Sequence, residues 1–140
     1  MLLTGYDDLT AEVVGAGLGT VFVPPFVALG IVQDGQIVGG YVLNDFNGSN
    51  IELTAYAPKL MRLGHMRFLA NYIFGQLGCR RISARTHRKN KLTLKTLERS
   101  GFKYEATLKG YYPTGDAVLF SLLKEKCRWW NEESAGPRAS

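Results

Sequence analysis

The sequence predicts an α/β (α+β) domain: a mixed, mostly antiparallel central sheet with one parallel strand pair and flanking helices. Three observations lead there. Two β-type runs, Phe26 to Gln33 and Gln36 to Asp45, meet across Asp34-Gly35, a two-residue hairpin signal. After Pro58 the apolar period lengthens to that of a helix, with Met66, Leu69, Ala70, Ile73 and Leu77 recurring on one face. A further strand, Cys79 to Thr86, follows directly. A strand–helix–strand step within one sheet is most naturally a parallel, right-handed crossover.

Taken in order, Asp7-Asp8 or Thr10 caps a short helix through Ala11-Glu12-Val13-Val14, which the Gly15/Gly17/Gly19 series ends. The hairpin strands come next. Gly39-Gly40 inside the second marks a bulge or a close backbone approach. After the Asn47-Gly48-Ser49 turn, Asn50 to Ala57 forms a third strand that Pro58 stops. The long helix covers Met61 to Leu77, with Gly78 as its C′ residue. In the strand that follows, Ile82 and Ala84 alternate with Arg81, Ser83 and Arg85. Asn90 caps a second helix, Lys91 to Arg99, whose Leu94 and Leu97 face inward and which Gly101 ends. Phe102 to Leu108 and Ala117 to Leu123 pair across Pro113-Thr114-Gly115-Asp116. Trp129 and Trp130 pack back on the domain. Residues 1–130 therefore read as a single domain, and Asn131 to Ser140 as a polar tail.

With 140 residues, 46% apolar and 21% charged, the chain reads as ordinary globular protein able to bury a core. The longest apolar run, Val21 to Ile31, contains Pro24-Pro25 and Gly30 and is too short to span a bilayer, so no membrane partner is expected. The first residues lack the charge and continuous apolar core of a secretory signal, and a cytoplasmic product is the expectation. Cys79 and Cys127 are lone thiols without metal-type spacing. The charge distribution is sharper. Residues 1–58 contain six acids and no Lys or Arg, whereas all 17 basic residues lie in 59–140 beside the other six acids, so the halves carry −6 and +11. Such asymmetry points to a partner bearing phosphate groups, either a nucleic acid or a phosphorylated cofactor.

The chemistry-bearing words are Gly78, Arg81-Ile82, Ala84-Arg85, Asn90, Leu97-Glu98, Gly101-Phe102, Glu105, Leu108, Tyr111-Tyr112, Asp116 and Ser121-Leu122-Leu123. In this order and spacing the chain resembles the GNAT superfamily of N-acetyltransferases, and within it the ribosomal-protein N-terminal acetyltransferase branch. Through Cys79-Arg80-Arg81 and Cys127-Arg128-Trp129 it is also similar to short acetyltransferase-like proteins of tailed bacteriophages. The likeness covers roughly Ile51 to Trp130.

The resemblance implies an acetyl-CoA cofactor and a splayed parallel strand pair. The pantetheine would lie in the gap, bonded to the backbone of Leu53 to Ala57, with Leu53 and Ala55 as contacts. Its pyrophosphate would sit on amides at the following helix N-terminus, where the dipole favours anions. That loop is Lys59-Leu60-Met61-Arg62-Leu63-Gly64-His65, with one glycine where the family has more, and Lys59, Arg62, Gly64 and His65 as contacts. Asn90 is placed near the cofactor. The family's frequent general-acid tyrosine is replaced by Leu97, and Thr93, three residues after Asn90, would face the thiolate. Amine attack needs a carboxylate or histidine as base, and Glu52, on the strand lining the gap, is the leading candidate, followed by Asp45 and His65. Alternation puts Glu52 on the face opposite Leu53. As plain structure, Glu52 is a solvated strand carboxylate and His65 a surface residue at a helix N-terminus. Before the third strand there is room for one short helix, so the acceptor pocket is open or completed by another chain, in a protein assembly or homo-oligomer.

The stretch from Arg80 to Lys95 holds Arg80, Arg81, Arg85, Arg88, Lys89, Lys91 and Lys95. It reads as a solvated face, as a cradle for the 3′-phosphate of CoA, or as a surface for a nucleic-acid backbone. Three functions follow: an N-acetyltransferase acting on an amine of a protein or small molecule, a catalytically silent GNAT-like component of an assembly such as a bacteriophage particle, located then in the virion, or a basic nucleic-acid-binding domain.

Overall fold

The structure, a computed structural model, describes residues 2–56 and 62–130. Among the described residues, seven strands and three α-helices follow in the order β1 (Leu2–Leu3), α1 (Asp7–Leu18), β2 (Val27–Gln33), β3 (Gln36–Asn44), β4 (Asn50–Tyr56), α2 (Leu63–Ala70), β5 (Arg81–His87), α3 (Lys91–Arg99), β6 (Lys103–Tyr112) and β7 (Gly115–Leu123). They form one sheet in the order β1-β2-β3-β4-β5-β7-β6. Every neighbouring pair is antiparallel except β4 and β5, which are parallel and joined through α2. The mixed sheet with one parallel pair is as the sequence predicts. β1 was not legible there; two residues held only by pairing with Ile31 and Gly30 leave no periodic signature.

The Asp34-Gly35 hairpin forms as expected, both residues having positive φ (52° and 75°), the geometry that a right-twisted two-residue turn requires. Both readings of Gly39-Gly40 hold. Ile31 faces Gly39 and Val32 faces Ile37, so Val38 is the extra residue of a bulge. A Cβ on Gly40 would lie 2.5 Å from the Leu29 carbonyl oxygen.

Helix α1 corrects the short helix expected over Ala11 to Val14. Gly15 and Gly17 lie inside it, and only Gly19, at φ 72°, ends it. Packing overrides propensity here, because a Cβ on Gly17 would stand 2.3 Å from the ring of Tyr56. Neither Asp7, Asp8 nor Thr10 caps it: the N-cap is Tyr6, and Asp7 instead accepts the Ala28 amide at 3.2 Å, tying the helix to β2. The long helix expected to Leu77 is α-helical only to Ala70 and continues as a π-helical segment, Asn71–Gln76, closed by Leu77 N–H to Tyr72 O at 2.9 Å. Its expected start at Met61 and the end of the third strand at Ala57 lie outside the described residues, as does the tail 131–140. β5 begins at Arg81 and runs to His87, and β6 runs past Leu108 to Tyr112, so that Pro113-Thr114 alone makes the final turn.

The two faces of the sheet carry separate clusters. On one, Leu29, Leu43, Leu53, Ala55, Ala84 and Phe120 pack under α2, the π segment and Leu97 of α3. On the other, Ala28, Val42, Ala117 and Tyr112 pack under Ala11, Val14 and Leu18 of α1. Trp130 closes the first cluster beside Phe74, their rings 6.3 Å apart, and the Trp129 indole donates to Ser100 O at 2.9 Å. Both cysteines are buried free thiols. No helix among the described residues is long and apolar enough to cross a membrane.

Candidate functional site

The parallel junction is where the backbone ladder gives out. β4 and β5 pair from Asn50–Arg81 to Thr54–Arg85, yet β4 continues to Tyr56 and β5 to His87. Beyond that point a side chain spans the gap: Thr86 Oγ1 donates to the Ala55 carbonyl at 2.9 Å. Asn90 then donates from Nδ2 to Thr86 Oγ1 at 3.2 Å, and makes no side-chain cap on α3, which corrects its expected capping role. Its amide is committed to the strand end, where the hydroxyl lacked a donor.

Both following helices start at this end of the sheet, α2 after Arg62 and α3 after Asn90. Two helix N-termini beside the carboxyl ends of parallel strands form a site that favours an anion. Arg62, Arg88, Lys89, Lys91 and Lys95 are exposed around it. A Cβ on Gly64 would meet nothing within 4 Å, so the space over the first turn of α2 is open.

The expected contacts fall into distinct groups. The side chains of Leu53 and Ala55 are wholly buried in the α2 cluster; Leu53 is also paired in the ladder with Ala84 and the Ala55 carbonyl is taken by Thr86, so of the two expected contacts only Ala55 lies beyond the ladder. Lys59 lies outside the described residues. Thr93, one turn before Leu97 on the inward side of α3, is 0% exposed, and its hydroxyl has no partner among the described residues. His65 is buried rather than a surface residue, because its Nδ1 lies 2.7 Å from the Tyr41 hydroxyl beneath it. Burial first, then the positive charge of the chain's amino terminus and of Arg62, lowers its pKa to about 4. The ring is therefore neutral, with Nδ1 accepting from tyrosine and the proton on Nε2.

Glu52 lies on the α1 face, opposite Leu53, as alternation requires. Its carboxylate is not a free solvated one: Oε2 pairs with the Arg85 guanidinium, which also donates to the Tyr111 hydroxyl and lies over that ring at 4.7 Å. Asp45 is exposed beyond Asn44, the residue that faces Glu52, and so sits at the far end of β4 from the gap. Arg85, Tyr111 and Tyr112 were not singled out as site residues. Only the period-2 pattern of β5 hinted that Arg85 shares a face with Glu52. Of the basic stretch, Arg81 is held by Glu105 at 2.8 and 2.5 Å and Arg88 lies 3.7 Å from Asp116, whereas Arg80, Lys89, Lys91 and Lys95 have no acidic partner among the described residues.

The fold matches that of solved acetyltransferases. A GCN5-related N-acetyltransferase from Brucella melitensis superposes with a TM-score of 0.58 at 23% identity, over 72% of this chain and 52% of its own. The fold is that of the GNAT acetyltransferases. A GNAT-fold spermidine N-acetyltransferase from Vibrio cholerae, solved with CoA and spermine, gives a TM-score of 0.61 at 18% identity over 76% of this chain and 69% of its own. An N-acetyltransferase from Campylobacter jejuni, solved with acetyl coenzyme A, gives 0.54 at 22% identity over 71% and 68%. Against two further acetyltransferase structures the chain spans 62% of the partner's length. No family model matches the sequence, and no curated protein matches it.

Proposed function

We propose that the chain is an acyl-CoA-dependent N-acetyltransferase that moves an acetyl group to an amine. The parting of β4 from β5 carries this reading, since it places strand backbone beyond the ladder, two helix N-termini and exposed cations around one gap. Acyl-CoA fits that donor set: the Ala55 amide, beyond the last β4–β5 pair, would meet a pantetheine carbonyl, while Leu53 stays in the ladder opposite Ala84. The first-turn amide of Gly64, with the Arg62 side chain beside it, would hold the pyrophosphate; the His65 amide already donates to the Arg62 carbonyl at 3.0 Å. Acetyl-CoA supplies the activated acetyl group. The buried, unpartnered Thr93 hydroxyl is available to donate to the departing sulfur.

Isothermal titration with acetyl-CoA tests the reading. Saturable one-site binding, weakened by Arg62→Ala, supports it; no heat and no thermal shift at millimolar cofactor would remove it. In that case a catalytically silent accessory role in an assembly stands, which the engagement of Glu52 by Arg85 favours, because it removes the leading base. The acceptor amine and the ribosomal or bacteriophage affinity of the chain are then read from an acceptor screen and from co-purifying partners.

A further inference from the structure

A second hydroxyl at the gap is unaccounted for. Tyr112 ends β6 and is 3% exposed, and its Oη has no hydrogen-bond partner among the described residues. Its ring is fixed from several sides. It stacks on His87 at 5.5 Å and 9°, meets Tyr111 edge-on at 5.0 Å, and belongs to the cluster of Val14 and Leu18, against which Tyr56 also packs. Tyr56 and His87 are the last residues of β4 and β5, so this phenol stands at the gap on the α1 face. A buried hydroxyl without a partner is uncommon in folded proteins and calls for a reason, since phenylalanine would fill the same space at lower cost.

On the opposite face, Leu97 occupies the position where the resemblance places a tyrosine, and it is 0% exposed in the core. It has no proton to offer. The two orphaned hydroxyls thus flank the gap, Thr93 from α3 and Tyr112 from β6.

We infer that Tyr112 donates a hydrogen bond from Oη to the thioester carbonyl oxygen of the bound acyl-CoA. The inference rests on the acetyltransferase reading above. As the amine lone pair attacks the carbonyl carbon, a C–N bond forms and the π pair moves onto that oxygen. The pair returns as the C–S bond breaks, CoA leaves as the thiolate, and the amine proton passes to water. Tyr112 keeps its own proton throughout. Burial, followed by the neighbouring Tyr111, pushes its pKa well above the ordinary phenol value, so it is a donor at any working pH. A preorganised donor aimed at developing charge in a site shielded from water is an effective form of catalysis.

Titration calorimetry of the wild type and Tyr112→Phe with acetyl-CoA and with CoA separates the possibilities. The wild type is expected to prefer acetyl-CoA by about two- to tenfold, the worth of one hydrogen bond. Tyr112→Phe is expected to bind the two equally, with unchanged CoA affinity and a melting temperature that holds or rises. With carbon-13-labelled acetyl-CoA, the infrared carbonyl stretch should be lowered in the wild-type complex and return upward in the variant. An unchanged preference or an unshifted stretch in Tyr112→Phe would overturn the inference while leaving the acetyltransferase reading intact. Absence of CoA binding in the wild type overturns both.

Discussion

The Tyr41 hydroxyl lies 2.7 Å from Nδ1 of His65, joining β3 to the first turn of α2 beneath the proposed pyrophosphate site. Tyrosine can donate in this contact only while Nδ1 carries no proton. The His65 pKa of about 4 lies below the ordinary 6.5, so between these values the unfolded chain binds a proton that the folded chain does not. Stability is therefore complete above pH 6.5 and declines as the pH falls towards 4. Urea denaturation at several pH values should show this slope, and His65→Gln should flatten it.

The Glu52–Arg85 pair joins the two parallel strands, the side chains being 23% and 11% exposed. Glu52→Ala leaves the guanidinium without its carboxylate in a half-dry setting and should destabilise by about 1–3 kcal/mol. Arg85→Met combined with Glu52→Ala should recover much of that loss. Additive single and double variants in a denaturation cycle would show that the pair contributes nothing.

Gly17→Ala is expected to behave contrary to helix propensity. On an exposed helix the change gains about 1 kcal/mol. Here the new methyl enters the Tyr56 ring, and a loss of about 1–3 kcal/mol is expected from overpacking. A raised melting temperature would mean that α1 does not press on the end of β4.

Gly64→Trp probes the opposite situation. Open space surrounds its Cβ position, so the melting temperature should hold while CoA affinity falls at least tenfold. Unchanged affinity, read by calorimetry, would displace the pyrophosphate from the α2 N-terminus.

Thr93→Val separates function from folding in a single side chain. Its hydroxyl is buried without a partner, so its removal should leave stability unchanged or raise it by about 1 kcal/mol. If Thr93 donates to the leaving sulfur, turnover should drop about tenfold or more. A stability loss without a change in turnover would make it a packing residue.

Much of the fold was legible because local chemistry and tertiary context agree. Asp34-Gly35 admits few turns other than the one it makes, and the helical spacing from Met66 to Ile73 is what α2 and its continuation bury. Disagreement arises where distant residues decide. Gly15 and Gly17 read as breakers because the Tyr56 ring that claims the space over Gly17 arrives from 39 residues along the chain. The π segment has no periodic signal of its own. The resemblance named Asn90, Thr93 and Gly64, which stand at the starts of α3 and α2. It could not show that Asn90 serves Thr86 instead of its helix, that Glu52 is held by Arg85, or that His65 is buried on Tyr41, since each depends on strand register.

The single parallel junction also coincides with the change of sign along the chain. The segment from β1 to β4 carries Asp7, Asp8, Glu12, Asp34, Asp45 and Glu52 and no Lys or Arg, whereas the Lys and Arg residues follow from Lys59 onward. The gap thus lies on the boundary between opposite potentials, and the molecule has a permanent polarity across the width of its sheet. A polyanionic donor and a cationic acceptor would be drawn to opposite lips and arrive already oriented towards one another. Added salt would then slow their encounter without altering a single contact at the reacting atoms.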